Sequence, residues 1–270
     1  MSYSVLILTK DEEINLQDCI SSVNGSDDIH LLDSYSSDNT IKIAEQMGVV
    51  VHQRIFDNYA AQRNYGLNLK FKNDWILMID ADERISEELS EEIETVVQIK
   101  DNPTTLYRLR RKDFFMGKWI KHSSGYPTWF GRLFRKGTVQ VKREINEEYY
   151  TEGEVGFLTE HMIHFPFNKG LDYWFTRHNR YSKMEAKKLI EEKKEILNVK
   201  LFLHKDPMMR RKAFKSFAYK IPFRPIFTFI FLYVFKLGML DGRPGFHFSL
   251  MRSFYEYQID LKINELNQAK

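Results

Sequence analysis

Five consecutive apolar residues, Trp75-Ile76-Leu77-Met78-Ile79, run without a polar break into Asp80-Ala81-Asp82-Glu83. An apolar run of that length that stops abruptly fits a strand covered on both faces, and such strands belong to parallel sheets flanked by helices. The residues before it repeat the theme. Tyr3 to Thr9 reads as a buried strand, Ile29 to Leu32 as a short one ending at Asp33, and Val49-Val50-Val51 as another. Helical spacing fills the intervals. Leu16, Cys19, Ile20 and Val23 form one amphipathic face. Ile43 and Met47 belong to a helix that Ser36-Ser37-Asp38 can cap and Gly48 can close, and Tyr59 to Leu69 forms a third. Ser86 caps a fourth, carrying Leu89, Ile93, Val96 and Val97. This β-α-β-α-β-α-β order predicts an α/β fold with an open, mostly parallel, right-handed sheet. Ligands of such sheets bind beyond the carboxyl ends of the strands, where Asp33 and Asp80-Ala81-Asp82 fall.

The pattern loosens from residue 104 to about 165. Strands are predicted at Leu106–Arg110, Arg132–Arg135 and Phe157–His164, between loops marked by Gly117, Gly125, Pro127 and Gly131. From Leu171 a charged helix runs through about Leu197. The expected division is therefore an α/β domain over 1–165 and a helical region over 166–270. One cysteine, Cys19, excludes an intrachain disulfide and fits a reducing compartment. The apolar run Val5–Leu8 is too short for a signal peptide and meets Asp11-Glu12-Glu13 at once, so a cytoplasmic location is expected.

The net charge of +3 says little about partners, but its distribution says more. Lys205, Arg210, Arg211, Lys212, Lys215, Lys220 and Arg224 face a single acid, Asp206, in the stretch from His204 to Arg224. Phe223, Phe227, Phe229, Phe231 and Phe235 follow. The apolar run from Ile226, even counted through Leu240, falls short of the ~20 residues that a spanning helix needs. Basic residues beside aromatics suit docking in the plane of an anionic membrane, at about 1 kcal/mol per charge. A helical subdomain packed on these rings, or a homo-oligomer interface, is the alternative. Nucleic acid is a poorer partner, since no basic stripe runs through the α/β part.

Asp80-Ala81-Asp82 is the sharpest chemical signal. Two carboxylates one residue apart at a strand end suit a hard divalent cation, which retains waters and substrate phosphates among its ligands. One can hold the metal while the other takes a ribose hydroxyl. The bland alternative is a solvated turn. The loop Asp33-Ser34-Tyr35-Ser36-Ser37-Asp38-Asn39-Thr40 can meet a base and ribose, or merely turn the chain.

Thr9-Lys10-Asp11-Glu12-Glu13, Asp33 to Thr40, Gln62-Arg63-Asn64-Tyr65-Gly66-Leu67 and Asp80-Ala81-Asp82-Glu83 occur in an order and at intervals that resemble glycosyltransferase family 2, of GT-A fold. Arg132-Leu133-Phe134-Arg135, Asn146-Glu147, the stretch His164 to Leu171, His178-Asn179-Arg180-Tyr181-Ser182 and Leu240 to Phe246 resemble a bacterial subgroup that makes lipopolysaccharide core or exopolysaccharide of the colanic-acid type. The resemblance implies an inverting transferase with a nucleotide-sugar donor, UDP-linked by preference, and a lipid-linked glycan acceptor. It implies donor contacts from Thr9, Glu12, Asp33, Ser34, Arg63, Asp80 and Asp82. It implies a divalent metal, manganese or magnesium, held by Asp82 and, as in some GT-A enzymes, a downstream histidine, here His164. It places the general base at Glu147, with Glu144 and Glu148 as rivals. Arg63, Arg132 and Arg135 are candidates for phosphates or for ordinary ion pairs, and His161 is expected at the surface. Two departures stand out: Asp33-Ser34 replaces a frequent pair of acids, and Asp11 stands where Asn is common. The competing functions are a sugar nucleotidyltransferase, which would be expected to carry a glycine-rich loop that Leu8-Thr9-Lys10-Asp11 lacks, and a non-catalytic membrane scaffold.

Overall fold

The computed structural model describes residues 3–142, 148–192 and 223–268. The chain forms two compact units, Met1–Phe114 with Tyr126–Asn168, and Phe115–Gly125 with Lys169–Lys270. Glu144, Glu147 and the cations from Lys205 to Lys220 lie outside the described residues.

In the first unit the four predicted strands are β1 (Ser4–Thr9), β2 (Ile29–Asp33), β3 (Val50–Gln53) and β4 (Trp75–Asp80). They pair in parallel in the order β3-β2-β1-β4, with Thr9 beside Asp33 and Leu8 beside Asp80. The register alone therefore brings Thr9, Asp33 and Asp80 to one edge. Helices α1 (Leu16–Ser22), α2 (Thr40–Gln46), α3 (Tyr59–Leu67) and α4 (Glu87–Val97) connect these strands and follow them. Alternation along each strand splits the core in two. Val5, Ile7, Leu77 and Ile79 pack with Leu16, Cys19, Leu89 and Ile93, while Leu6, Leu8, Ile76 and Met78 pack with Leu67 and Phe71. Gly66 lets α3 approach closely, because a Cβ there would lie 2.6 Å from Leu6 Cδ2.

Ser86 caps α4, its Oγ accepting the Leu89 N–H at 3.2 Å, as the sequence predicts. Gly48, at φ +72°, closes α2. The start of α2 differs from expectation. Asn39 holds the cap position without a capping bond to the helix, its amide donating to Glu13 at 2.8 Å instead. Ser36 turns back to Asp33, and Asp38 accepts the N–H groups of Glu13 and Thr40. The loops after β1 and β2 are thereby sewn together.

The sheet continues as a mixed one through β5 (Glu83–Ile85), β6 (Thr104–Phe115), β8 (Trp129–Arg135) and β11 (Glu154–His164), in the order β4-β8-β6-β11-β5, while β7 (Lys118–Trp119) belongs to the second unit. β8 runs antiparallel to β4 and β6, and β11 lies parallel to β6 and antiparallel to β5. β11 thus sets His164 opposite both Glu83 and Asp113. β9 (Val139–Lys142) and β10 (Glu148–Thr151) form a separate antiparallel pair.

In the second unit α5 (Gly170–Glu192) packs on α7 (Arg243–Gln268) through Ala186, Leu189, Ile259 and Ile263. The predicted helix beyond Glu192 lies outside the described residues. The Leu240–Phe246 stretch is a packed corner. Buried Asp241 accepts the backbone N–H groups of His122 and Ser123, and a Cβ on Gly245 would lie 2.1 Å from Gly238 O.

The helix α6 (Arg224–Ile230) continues as a π-helical turn, Phe231–Phe235. Here one sequence expectation is corrected. Arg224 is not a surface cation: it is buried and paired with Glu256 at 3.0 Å and Asp260 at 2.9 Å. The reason is amphipathicity turned inside out. Phe223, Ile226, Phe227, Ile230, Phe231, Val234 and Phe235 recur at spacings of three and four and are all exposed. Phe229, by contrast, stacks on Tyr233 and meets the edge of Phe246. Among the described residues no helix is long and apolar enough to cross a membrane.

Candidate active site

The carboxyl edge of the parallel strands carries a row of polar groups. Thr9 is buried, and its Oγ1 meets no partner. A buried hydroxyl left unpaired costs about 1–3 kcal/mol, so this oxygen suits completion by a ligand. Asp33 is fully buried and accepts the Ser36 N–H at 2.8 Å and Gln53 Nε2 at 3.3 Å. Ser34 Oγ accepts from Gln62 Nε2, and the Glu12 carboxylate accepts from Asn15 Nδ2. Asp11, at φ +53°, accepts the Ser37 N–H at 2.7 Å and so ties one loop to the next.

Asp80 sits between two guanidinium groups, Arg63 at 3.2 Å and Arg132 at 3.1 Å. Burial opposes its ionisation, but Arg63 and then Arg132 outweigh burial and hold the carboxyl below its ordinary range. Behind it lies Glu83, with 0% exposure. Arg132 grips Glu83 with Nη2 at 2.8 Å and Nε at 3.2 Å, Arg111 adds a contact at 3.3 Å, and Glu83 accepts the Asp80 N–H at 3.0 Å. A β-bulge aims Arg132. Tyr107 pairs with Leu133 and Arg108 with Gly131, which leaves Arg132 as the extra residue. Tyr149 joins from β10, its hydroxyl accepting Arg63 Nε at 3.1 Å.

Asp82 and His164 do come together. His164 Nε2 lies 3.3 Å from Asp82 Oδ2, and Nδ1 lies 2.7 Å from Asp113 Oδ1. Burial and Arg111 push the imidazole pKa down, yet Asp82 and Asp113 outweigh them and raise it to about 9. A metal would take the place of the Nε2 proton, with Asp113 fixing the ring from behind. Among the described residues no group of three or more His, Cys, Asp or Glu surrounds one metal position. Two protein donors nonetheless suit a cation that fills its shell with water and diphosphate oxygens. The donor set fits manganese or magnesium.

The remaining candidates fall elsewhere. Arg135 donates to the Asn102 carbonyl at 2.6 Å and covers Trp75. Glu148 begins β10, exposed and opposite Lys142. His161, expected at the surface, is half-buried, with Nε2 2.7 Å from the Tyr126 hydroxyl. Sequence reasoning missed Glu83 as a buried anchor, along with Arg111, Asp113 and Tyr149. Glu83 was visible as the fourth residue of the Asp80–Glu83 run. Asp113 carried no local signal, because only the pairing of β6 with β11 makes it a neighbour of His164.

The chain is similar in sequence to known glycosyltransferases. An uncharacterized glycosyltransferase of Rickettsia felis is 30% identical over 210 residues, covering 73% of this chain and 74% of that one. The lipopolysaccharide core biosynthesis glycosyltransferase LpsC of Rhizobium meliloti is 25% identical over 277 residues, covering 99% and 93%. A glucosyl-3-phosphoglycerate synthase from Mycobacterium tuberculosis, solved with Mn2+ and UDP-glucose, is 18% identical and covers 41% of this chain and 44% of its own, at a TM-score of 0.35. The family model of glycosyl transferase family 2 matches residues 4–162, more than half of the 270. With its parallel half, mixed half and acidic strand end, the chain has a GT-A fold and belongs to glycosyltransferase family 2.

Proposed function

We propose that the protein is an inverting, metal-dependent glycosyltransferase that moves a sugar from a nucleotide donor, UDP-linked by preference, to a lipid-linked glycan of a bacterial surface polysaccharide or lipopolysaccharide. The observation that carries this reading is the Asp82–His164 pair, backed by Asp113, at the end of the strand whose Asp80 is held ionised. Asp82 and His164 would hold the divalent cation, which when bound neutralises the departing diphosphate. Thr9, Glu12, Asp33 and Ser34 would meet base and ribose, Asp80 would take a ribose hydroxyl, and Arg63 would flank the diphosphate. Glu147 would remove the proton as the acceptor oxygen attacks the anomeric carbon. The new C–O bond forms as the bond to diphosphate breaks, which inverts the configuration.

The lipid-linked acceptor draws on the likeness to LpsC and on the outward apolar stripe of α6. That stripe, with the basic segment from Lys205 to Lys220, would seat the protein on the anionic inner face of the cytoplasmic membrane. A thermal-shift screen of UDP- and GDP-sugars with and without Mn2+, followed by NMR of the product anomer, tests the reaction. Donor stabilisation that needs no metal, or retained configuration, would refute it. Glu147→Gln is expected to lower kcat by at least ~10²-fold with donor affinity unchanged. A normal Glu147→Gln beside an inactive Glu144→Gln would move the base to Glu144.

A further inference from the structure

The face of the sheet beside the ion-pair cluster carries side chains that the donor chemistry does not use. On β6, Arg108, Arg110 and Lys112 alternate with inward residues and so share one face, each about 7 Å from the next. Trp129 of β8 and His161 of β11 flank Arg110 in register, and Phe157 lies opposite Arg108. Arg110 stands over the Trp129 ring at 5.2 Å, and Trp129 meets Phe157 edge-to-face at 5.0 Å. Both rings are open, Trp129 at 37% exposure and Phe157 at 56%. Burial, then Lys112 and Arg110, depress the pKa of His161, and Glu160 at 3.7 Å opposes them.

This ledge is continuous with the donor site. Gly131 shares its face, and a Cβ there would lie 3.3 Å from the Tyr149 ring, whose hydroxyl accepts from Arg63. Two exposed rings set at right angles match the C–H faces of successive sugars, and a row of cations matches anionic substituents. Charge complementarity on a glycosyltransferase surface beside its leaving-group site selects the occupant.

We infer that this ledge binds the acceptor as an anionic saccharide, with sugar rings on Trp129 and Phe157 and carboxylate or phosphate substituents on Arg108, Arg110 and Lys112. The inference rests on the reading that the acceptor is a glycan. Calorimetry on the full chain tests it with four probes: hexagalacturonate, phosphorylated maltohexaose, neutral maltohexaose and a thymidine hexanucleotide. One of the two charged saccharides is expected to bind at least about tenfold more tightly than neutral maltohexaose, and which one does so identifies the substituent. Trp129→Ala, Phe157→Ala and Arg110→Gln should each weaken that binding by about tenfold, while Trp129→Phe, which keeps a ring, should restore most of it. Phe157 is so exposed that its loss leaves folding intact should the Trp129 variant fail. Equal binding of charged and neutral sugars, preference for the oligonucleotide, or full affinity in Phe157→Ala and Arg110→Gln would overturn the inference. Donor hydrolysis by the unaltered protein is read separately. Its absence would sink the transferase reading without touching the saccharide result.

Discussion

Arg132 and Arg224 are almost equally buried, at 3% and 6% exposure, yet they keep different company. Arg132 belongs to a chain of charges that runs from Arg63 through Asp80 and Glu83 to Arg111 and Asp113, and it ends on the His164–Asp82 pair. That chain rises toward the strand ends, where Thr9 waits with an unpaired hydroxyl. Arg224 pins α6 to α7 through Glu256 and Asp260, and the apolar residues of α6 face outward instead. In the proposed function the first set of buried charges serves chemistry and the second holds up a docking surface.

The contrast predicts unequal costs for the same substitution. Arg132→Met leaves Glu83, which has no exposure, without its main partner, and should cost about 3–5 kcal/mol in urea unfolding. Arg224→Met should cost about 1–2 kcal/mol. Asp260 is 37% exposed and can be hydrated, and burial already pushes the Glu256 carboxyl upward, so Glu256 can take a proton instead. Equal losses would erase the distinction between the two arginines.

Function should separate along the same line. Asp82→Ala should reduce transfer by about 10³-fold while the protein stays folded, because Asp82 lies in the turn between β4 and β5 and belongs to neither hydrophobic core of the sheet. Full activity of that variant in metal-free buffer would end the metal assignment. Replacing Phe227 and Phe231 with Ser should lower flotation with anionic liposomes by about tenfold and leave transfer to a short soluble acceptor unchanged. Failure of the unaltered protein to float would turn the stripe into an interface with another protein or another copy.

The two halves of the sheet also differ in how well the sequence announces them. β1, β2 and β4 are largely apolar runs buried on both faces, unlike the partly exposed edge strand β3, and the points where those runs stop are enough to locate Asp33 and Asp80 at the carboxyl edge. β6, β8 and β11 are longer and half-exposed, and β11 chooses a parallel partner on one side and an antiparallel one on the other. No local pattern encodes that choice, so Asp113 reads as an ordinary polar residue. The bulge that aims Arg132 is equally hidden, since it exists only as a slip in pairing with β6. His164 stands out because it lies in a motif, not because its neighbours can be inferred. The burial of Arg224 depends on Glu256 and Asp260, some 30 residues away, and a basic run gives no sign of that.

The smallest expected effect concerns two histidines that the units treat in opposite ways. His164 stands between two carboxylates and keeps its proton up to about pH 9. His178, on α5, stacks on Trp174 at 3.6 Å and meets the edge of Tyr255. Burial lowers its pKa to about 4, Arg177 and Arg252 push the same way, and the Trp174 carbonyl opposes only in part. The folded protein therefore holds His178 neutral at a pH where the unfolded chain already takes up a proton. The unfolded state binds more protons between about pH 6.5 and pH 4, so stability falls as pH drops through that window and the loss is complete below pH 4. The ring is not fully enclosed, so the contribution should be on the order of 1 kcal/mol. His178→Phe keeps the stacking surface and removes the proton site. Urea midpoints at pH 7, 6, 5 and 4 should then fall less steeply in the variant than in the unaltered protein. Identical slopes would mean that His178 is as accessible to protons as a histidine in the unfolded chain, and the aromatic pocket around it would have to be looser than its geometry implies.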